Sequence, residues 1–89
     1  MSEHKYTIID VREPYEYESG HVEGAINIPG ESLMAGAPEL KDVPKDATLL
    51  VYCRTGSRSQ IALEIFRSMG YQNLLNGINQ YIAKERFGV

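Results

Sequence analysis

Residues 48–59 read TLLVYCRTGSRS, and this stretch decides how the chain folds. Its first part, Thr48 to Tyr52, is apolar on both faces, which is typical of a strand buried inside a parallel sheet. Its second part is polar and contains Gly56, a residue that permits the positive φ needed where a chain curls tightly. The stretch therefore predicts a strand, a tight loop and the start of a helix.

The regions on either side continue this alternation. A helix is predicted over residues 58–69, ending at Gly70, because its apolar side chains recur on one face: Ile61, Ala62, Ile65, Phe66 and Met69. Further strands are predicted at residues 6–10, 25–28 and 72–75. Further helices are predicted at residues 13–18, 31–40 and 78–86, with a turn at Asn76-Gly77. This order predicts an α/β domain with a mainly parallel sheet.

Composition and charge exclude several classes of protein. The chain has 89 residues, one cysteine and a formal net charge of −3, which fits a single domain over residues 1–89. One cysteine cannot form an internal disulfide or a cysteine-rich zinc site. The negative charge argues against a nucleic-acid partner held through its phosphates. The charges are unevenly distributed along the chain. Residues 1–52 contain four Lys/Arg and ten Asp/Glu, whereas residues 53–89 contain five Lys/Arg and two Asp/Glu.

Targeting signals are also absent from the sequence. The N-terminus lacks the basic region and apolar run of a signal peptide. Apolar runs are far shorter than the roughly 20 residues that span a bilayer. We therefore expect a cytoplasmic protein with no membrane partner. A monomer is the default expectation, because the sequence leaves the oligomeric state open.

The loop after the predicted central strand concentrates the chemistry. Cys53 lies where a parallel strand ends and a helix begins, a position at which unpaired backbone N–H groups favour anions. Arg54 and Arg58 add two permanent positive charges next to it. Together these features should lower the thiol pKa from about 8.5 toward the range of reactive cysteines, about 3.5 to 7.5. The alternative is a buried structural cysteine, which the polar surroundings of this loop disfavour.

A second expectation concerns how the following helix starts. Ser57 and Gln60 have the spacing of a capping box, in which a serine side chain caps the helix and a glutamine returns the contact. This arrangement would fix the helix N-terminus beside the cysteine.

The sequence resembles the rhodanese family of sulfurtransferases. The resemblance is carried by DVRE with YEYE in residues 10–18, by GHVEGAINIP in residues 20–29, and by CRTGSR in residues 53–58. It extends from about Tyr6 to Ala83. It implies a three-layer α/β domain with a central, mainly parallel sheet of about four to five strands flanked by helices.

The resemblance also implies an activity. Cys53 would be the nucleophile, at the base of a six-residue substrate-binding loop completed by Arg54, Thr55, Gly56, Ser57 and Arg58. Its thiolate would take sulfane sulfur from an anionic donor such as thiosulfate, a polysulfide or a persulfide. The resulting persulfide would pass the sulfur to a thiol, on a small molecule or a protein, or to cyanide. The reaction implies no metal and no organic cofactor.

Two other functions are compatible with such a loop. A phosphatase or arsenate reductase of the same fold is one, but phosphate-binding loops place one more residue between cysteine and arginine than the four found here. A non-catalytic docking or redox-sensing module is the other, although such relatives often lack the cysteine that this chain keeps.

Residues outside the loop receive structural interpretations. We expect His21 to hold backbone groups in a tight turn, and Asp10 and Arg12 to form an ion pair, either steadying the loop or purely structural. The acidic segment 13–23 is interpreted as a solvated face, with a docking surface for a basic partner as the alternative. Two residues depart from the family pattern: Asn76 replaces the first of two glycines, and Tyr81 stands where tryptophan is common. We expect both departures to leave the loop untouched.

Overall fold

A four-stranded sheet forms the centre of the chain in the computed structural model, which describes residues 5–89. The strands are β1 (Tyr6–Asp10), β2 (Ile26–Asn27), β3 (Thr48–Tyr52) and β4 (Asn73–Ile78). They lie in the order β2-β1-β3-β4, and every neighbouring pair is parallel. Because β3 lies between two strands and is covered on both faces, its apolar sequence is explained, and the predicted α/β architecture is confirmed.

Helices cover both faces of this sheet. They are α1 (Pro14–Glu18), α2 (Gly30–Met34), α3 (Ser57–Ser68) and α4 (Gln80–Phe87), with one 3-10 turn at Pro38–Leu40. On one face, Ile9, Leu49 and Val51 pack with buried residues of α2 and α3. On the other face, Ile8, Leu50 and Tyr52 pack with Ala83 of α4. The alternation of side chains along β1 and β3 therefore divides the core into two layers.

The helix predicted over residues 31–40 is wrong in its length. α2 ends at Met34, and the chain then turns through Gly36 at φ 98° and Ala37 at φ 50°. Left-handed backbone cannot continue a right-handed helix, so Pro38 starts a separate 3-10 turn instead.

The turn predicted at Asn76-Gly77 is also wrong, because β4 runs through both residues to Ile78. Val51 pairs with Asn76 and Tyr52 pairs with Ile78, so Gly77 is the extra residue of a β-bulge. The bulge ends at Ile78, whose φ of 71° is unusual for a β-branched residue. The last helix accordingly begins at Gln80 rather than residue 78, capped by the Asn79 side chain, which accepts a hydrogen bond from the Ile82 N–H at 2.8 Å.

No helix in the described part of the chain, residues 5–89, is long and apolar enough to cross a membrane.

Candidate active site

Cys53 lies immediately after β3, at the edge of the sheet where the parallel strands end. Its side chain is only 1% exposed, yet it lines a cavity of about 550 Å³. Residues from three other regions complete the walls, among them Arg12, Tyr15, Glu16, Asn79 and Tyr81. The sulfur is therefore buried in the protein but sits at the inner end of an open cavity.

Backbone N–H groups of the loop point at the sulfur. The N–H of Gly56 donates to Sγ at 3.1 Å, and the N–H of Ser59 donates at 3.4 Å. Gly56 has φ 97°, and this left-handed conformation curls the loop back over the thiol. Such converging donors stabilise negative charge on the sulfur.

The helix that follows starts differently from the prediction. Its N-cap is Gly56, and no side chain caps it, so the capping box predicted for Ser57 and Gln60 is wrong. Ser57 is already the first helical residue, and its hydroxyl lies 3.2 Å from the hydroxyl of Thr55. Gly56, with its φ of 97°, is the last residue of the loop and the N-cap. The helix therefore begins at Ser57, one residue earlier than a Ser57 cap would place it.

The surroundings of the Cys53 sulfur favour the ionised thiolate over the neutral thiol. Burial acts to raise the pKa of Cys53, but hydrogen bonds from the backbone N–H groups of Ser59, Gly56 and Thr55 stabilise the thiolate and act to lower it. The pKa is therefore lowered below the ordinary thiol value, as hydrogen bonding to the charged form requires.

The two arginines of the loop share one carboxylate. Arg58 donates to Glu16 at 3.1 Å, and Arg54 lies 3.7 Å from the same carboxylate. Glu16 is 8% exposed, so the interpretation of the whole segment 13–23 as a solvated face is wrong at this position. The hydrogen bond from Arg58 is the main reason that the pKa of Glu16 is lowered. The local charge of +2 on the loop is thus halved by a residue of α1.

The arginines also point to different places. Arg54 lines the cavity above Cys53, and its side chain is 70% exposed. Arg58 borders a separate, mostly apolar groove together with Met34 and Ile61. Of the predicted substrate-binding side chains, Arg54 is the one that faces the cavity.

The predicted ion pair of Asp10 and Arg12 is present and buried. The Arg12 guanidinium donates to Asp10 at 2.7 Å and to the Gly20 carbonyl at 2.6 Å. The Tyr52 hydroxyl also donates to Asp10, at 2.9 Å, and accepts the Val22 N–H at 3.0 Å. Arg12 lines the cavity, so this network joins the core to the wall of the site.

His21 lies in the loop after α1. Its Nδ1 is 2.8 Å from the Tyr17 carbonyl oxygen, which can only accept, and its ring stacks on Tyr17 at 3.6 Å. These contacts agree with the backbone-holding role expected for it.

The expectation that Asn76 leaves the loop untouched is wrong. Its side-chain oxygen accepts from the Ser59 hydroxyl at 2.7 Å, and its side-chain nitrogen donates to the Gly56 carbonyl at 3.2 Å. Tyr81, the other departure, is 71% exposed and lines the cavity. The last strand was predicted to end at Leu75. Asn76 contacts the loop because β4 continues to Ile78.

Glu16 was also missed as a site residue, although one signal could have located it. Glu13 and Glu16 form a capping box at the start of α1, which fixes the phase of that helix. In that phase Glu16 turns inward, toward the loop.

Among residues 5–89, no three His, Cys, Asp or Glu side chains lie close enough to hold a metal ion.

Comparison with known proteins gives a consistent result. The profile described as Rhodanese-like domain matches residues 1–84. The chain is 42% identical over 72 residues to the protein named thiosulfate sulfurtransferase PspE of Escherichia coli strain K12, covering 76% of this chain and 64% of that one. It is 38% identical over 72 residues to the protein named probable adenylyltransferase/sulfurtransferase MoeZ of Mycobacterium tuberculosis, covering 81% of this chain but only 18% of that protein. A solved structure titled rhodanese with anions from E. coli superposes with a TM-score of 0.71 at 38% identity, covering 86% of this chain and 89% of that one.

Proposed function

The chain belongs to the rhodanese-like domain family, and on that premise we propose that it is a sulfurtransferase that carries sulfane sulfur on Cys53. One observation carries the proposal: the N–H groups of Gly56 and Ser59 converge on Sγ at 3.1 and 3.4 Å. This arrangement supports a thiolate nucleophile inside a cavity that is open to small molecules. The relatives named thiosulfate sulfurtransferase and sulfurtransferase support the same reaction class.

The reaction takes place in two displacements. The Cys53 thiolate attacks the outer sulfur of thiosulfate, so that a new S–S bond forms while the donor S–S bond breaks and sulfite leaves with its electron pair. An acceptor thiolate, or cyanide, then attacks the outer sulfur of the persulfide and releases the Cys53 thiolate. No net oxidation of the protein occurs, and the kinetics are ping-pong.

The surroundings of the sulfur suit an anionic donor and a separate acceptor. Arg54 lines the cavity and offers fork-shaped donors to an oxyanion. Arg12 also lines the cavity, but its Nε and Nη2 are already bonded to Asp10. Cys53 is the one cysteine of the chain, so no second thiol of the same chain can take the sulfur. The thiol that accepts the sulfur therefore lies outside these 89 residues, on a small molecule or on a protein.

Intact-mass spectrometry after incubation with thiosulfate tests this proposal. We expect the wild type to gain the mass of one sulfur atom, to lose it on adding cyanide, and to form thiocyanate in the process. Cys53→Ser, which keeps the size of the side chain, is the control and should gain nothing. A wild-type protein that never gains the sulfur, or a Cys53→Ser protein that does, contradicts the proposal. Turnover of an aryl phosphate without turnover of thiosulfate would point to a phosphatase instead.

A further inference from the structure

The Ser59 hydroxyl stands between the nucleophile and β4. Its single proton can reach the Asn76 Oδ1 at 2.7 Å and the Gly56 carbonyl at 3.1 Å. The Cys53 Sγ, whose S–H donates to Oγ across 3.6 Å, becomes a third acceptor once it is a thiolate. A hydroxyl donates only one hydrogen bond at a time. The three acceptors therefore compete for it, and the shortest distance belongs to Asn76.

The orientation of the Asn76 amide is fixed by its other partners. Its Oδ1 accepts the backbone N–H of Ile78 at 2.9 Å. Its Nδ2 donates to the Gly56 carbonyl at 3.2 Å and to the Gln60 side-chain oxygen at 3.3 Å. A flipped amide would set donor against donor at Ile78 and acceptor against acceptor at Gly56. The atom facing Ser59 is therefore the oxygen, and Ser59 must be the donor to it.

This geometry changes what the hydroxyl can do for the sulfur. While Ser59 donates to Asn76, only its lone pairs face Cys53, so the neutral S–H can donate to Oγ across 3.6 Å. The thiolate has no proton to give and would meet those lone pairs. To hydrogen bond the thiolate, the hydroxyl must turn and give up its 2.7 Å bond to Asn76.

We propose that Asn76 is a positioning residue for the nucleophile: by holding the Ser59 proton, it withholds one hydrogen bond from the Cys53 thiolate. The inference rests on the proposed function only in taking Cys53 as the nucleophile. The backbone N–H groups of Gly56 and Ser59 remain on the sulfur in either case. Asn76 thus sets how far the loop activates the thiol.

Charged and titratable groups surround the sulfur but do not share this proton. They are Arg12 after β1, Tyr15 and Glu16 of α1, Arg54 and Arg58 of the loop and α3, and Tyr81 of α4. In the described part of the chain none of them hydrogen bonds to Asn76 or Ser59. Removing the Asn76 side chain therefore changes which acceptor receives the hydrogen bond of the Ser59 hydroxyl, and it removes no charged group.

The rate of alkylation by iodoacetamide as a function of pH tests the proposal, because it reports the thiolate and needs no sulfur transfer. We expect Asn76→Ala to lower the midpoint of this profile by about 0.5 to 1 pH unit, the effect of one ordinary hydrogen bond. Asn73→Ala is the matched control, since that side chain lies on the same strand but donates to the Asp46 carbonyl at 2.9 Å, away from the loop. An unchanged or raised midpoint in Asn76→Ala overturns the inference.

A second substitution distinguishes proton holding from a general loosening of the loop. In the wild type, Ser59→Ala should leave the midpoint unchanged or slightly lower, because the hydroxyl is not donating to sulfur. In the Asn76→Ala background the same change should raise the midpoint by about 0.5 to 1 pH unit, because the freed donor is lost. An equal effect of Ser59→Ala in both backgrounds contradicts the proposal.

A third variant covers the case in which Asn76→Ala fails to fold, which circular dichroism would show. Asn76→Asp keeps an oxygen toward Ser59 and adds negative charge near the sulfur, so the midpoint should rise. A midpoint below that of the wild type would overturn the inference. If every profile behaves as expected but thiosulfate never adds sulfur to Cys53, the positioning role holds and the sulfurtransferase proposal fails.

Discussion

Glu16 determines how much positive charge an incoming anion meets. Its carboxylate lies 3.1 Å from the Arg58 guanidinium and 3.7 Å from that of Arg54, and it also lines the cavity. A carboxylate in this place holds the arginines in position but would repel the anionic donor proposed above. At the scale of single residues, Glu16 therefore orders the loop arginines but weakens the attraction of the cavity for the proposed anionic donor.

Replacing Glu16 by glutamine should favour the anionic donor. The amide oxygen can keep the contact with the Glu13 N–H at 2.9 Å while the negative charge is removed. We expect KM for thiosulfate to fall by about three- to tenfold, since a partly exposed charge pair is worth roughly 1 kcal/mol. Steady-state kinetics at low and high salt measure this, and the fall should shrink as salt rises. Glu18→Gln, an exposed change at the end of the same helix, is the control; an equal fall there would contradict the explanation.

The two arginines should differ when each is replaced. Arg54→Ala removes a side chain that faces the cavity, so we expect KM for thiosulfate to rise about tenfold, the usual range for a charged hydrogen bond. Arg58→Ala removes a side chain engaged with Glu16 and should raise KM less. Kinetics with thiosulfate and with an uncharged sulfane-sulfur donor, such as an organic trisulfide, separate the effects. A larger rise in KM for Arg58→Ala would show that the Glu16 pair opens when substrate binds.

At the scale of elements, the bulge in β4 is what brings the strand against the active loop. Its extra residue, Gly77, lets Ile78 turn so that its carbonyl accepts the Cys53 N–H at 3.1 Å. Asn76, one residue earlier, then faces Ser59. The end of β4 thus holds the backbone of Cys53 and places Asn76 against the hydroxyl beside its sulfur.

Gly77→Ala should destabilise the fold. A Cβ at this position would lie 3.2 Å from the Ala83 Cβ and 3.2 Å from the Leu50 Cδ1, inside the packed core. We expect the free energy of unfolding in urea to fall by about 1 to 3 kcal/mol, the usual cost of overpacking. Gly30→Ala, at the start of α2 with nothing within 4 Å, should change it by less than about 0.5 kcal/mol. Equal losses in both variants would contradict this account.

The regular elements could be predicted because their signals are local. β1, β3 and α3 carry their periodicity in consecutive residues, so their bounds agree with the sequence within one residue. The bulge could not be predicted, since Asn-Gly is a strong turn signal and only pairing with Val51 and Tyr52 keeps it in the sheet. The inward placement of Glu16 likewise depends on loop arginines some forty residues away in sequence.

At the scale of the whole molecule, one buried hydroxyl links distant parts of the chain. Tyr52 of β3 joins Asp10 at the end of β1 to the backbone of Val22, in the turn before β2. The same aspartate holds Arg12 in the cavity wall. This network therefore connects the centre of the sheet with the side of the site opposite the cysteine loop.

Tyr52→Phe should destabilise the protein without changing the chemistry at Cys53. The Val22 N–H would be left buried without its partner, which costs about 1 to 3 kcal/mol. Urea unfolding measures this loss, with Tyr15→Phe, an exposed tyrosine, as the control. The alkylation profile of Cys53 should keep its midpoint; a moved midpoint would mean that the network also sets the reactivity of the thiol.

The central place of β3 has a consequence for native-state opening. β2 pairs through only two residues at one edge of the sheet, whereas β3 pairs along its length with both β1 and β4. In amide hydrogen exchange, edge segments open at low free energy and doubly paired core strands only near global unfolding. The amides of β3 should therefore be among the slowest to exchange, and the amides of β2 among the faster ones. The strand that presents Cys53, the proposed nucleophile, would thus keep its geometry through the local fluctuations that open β2.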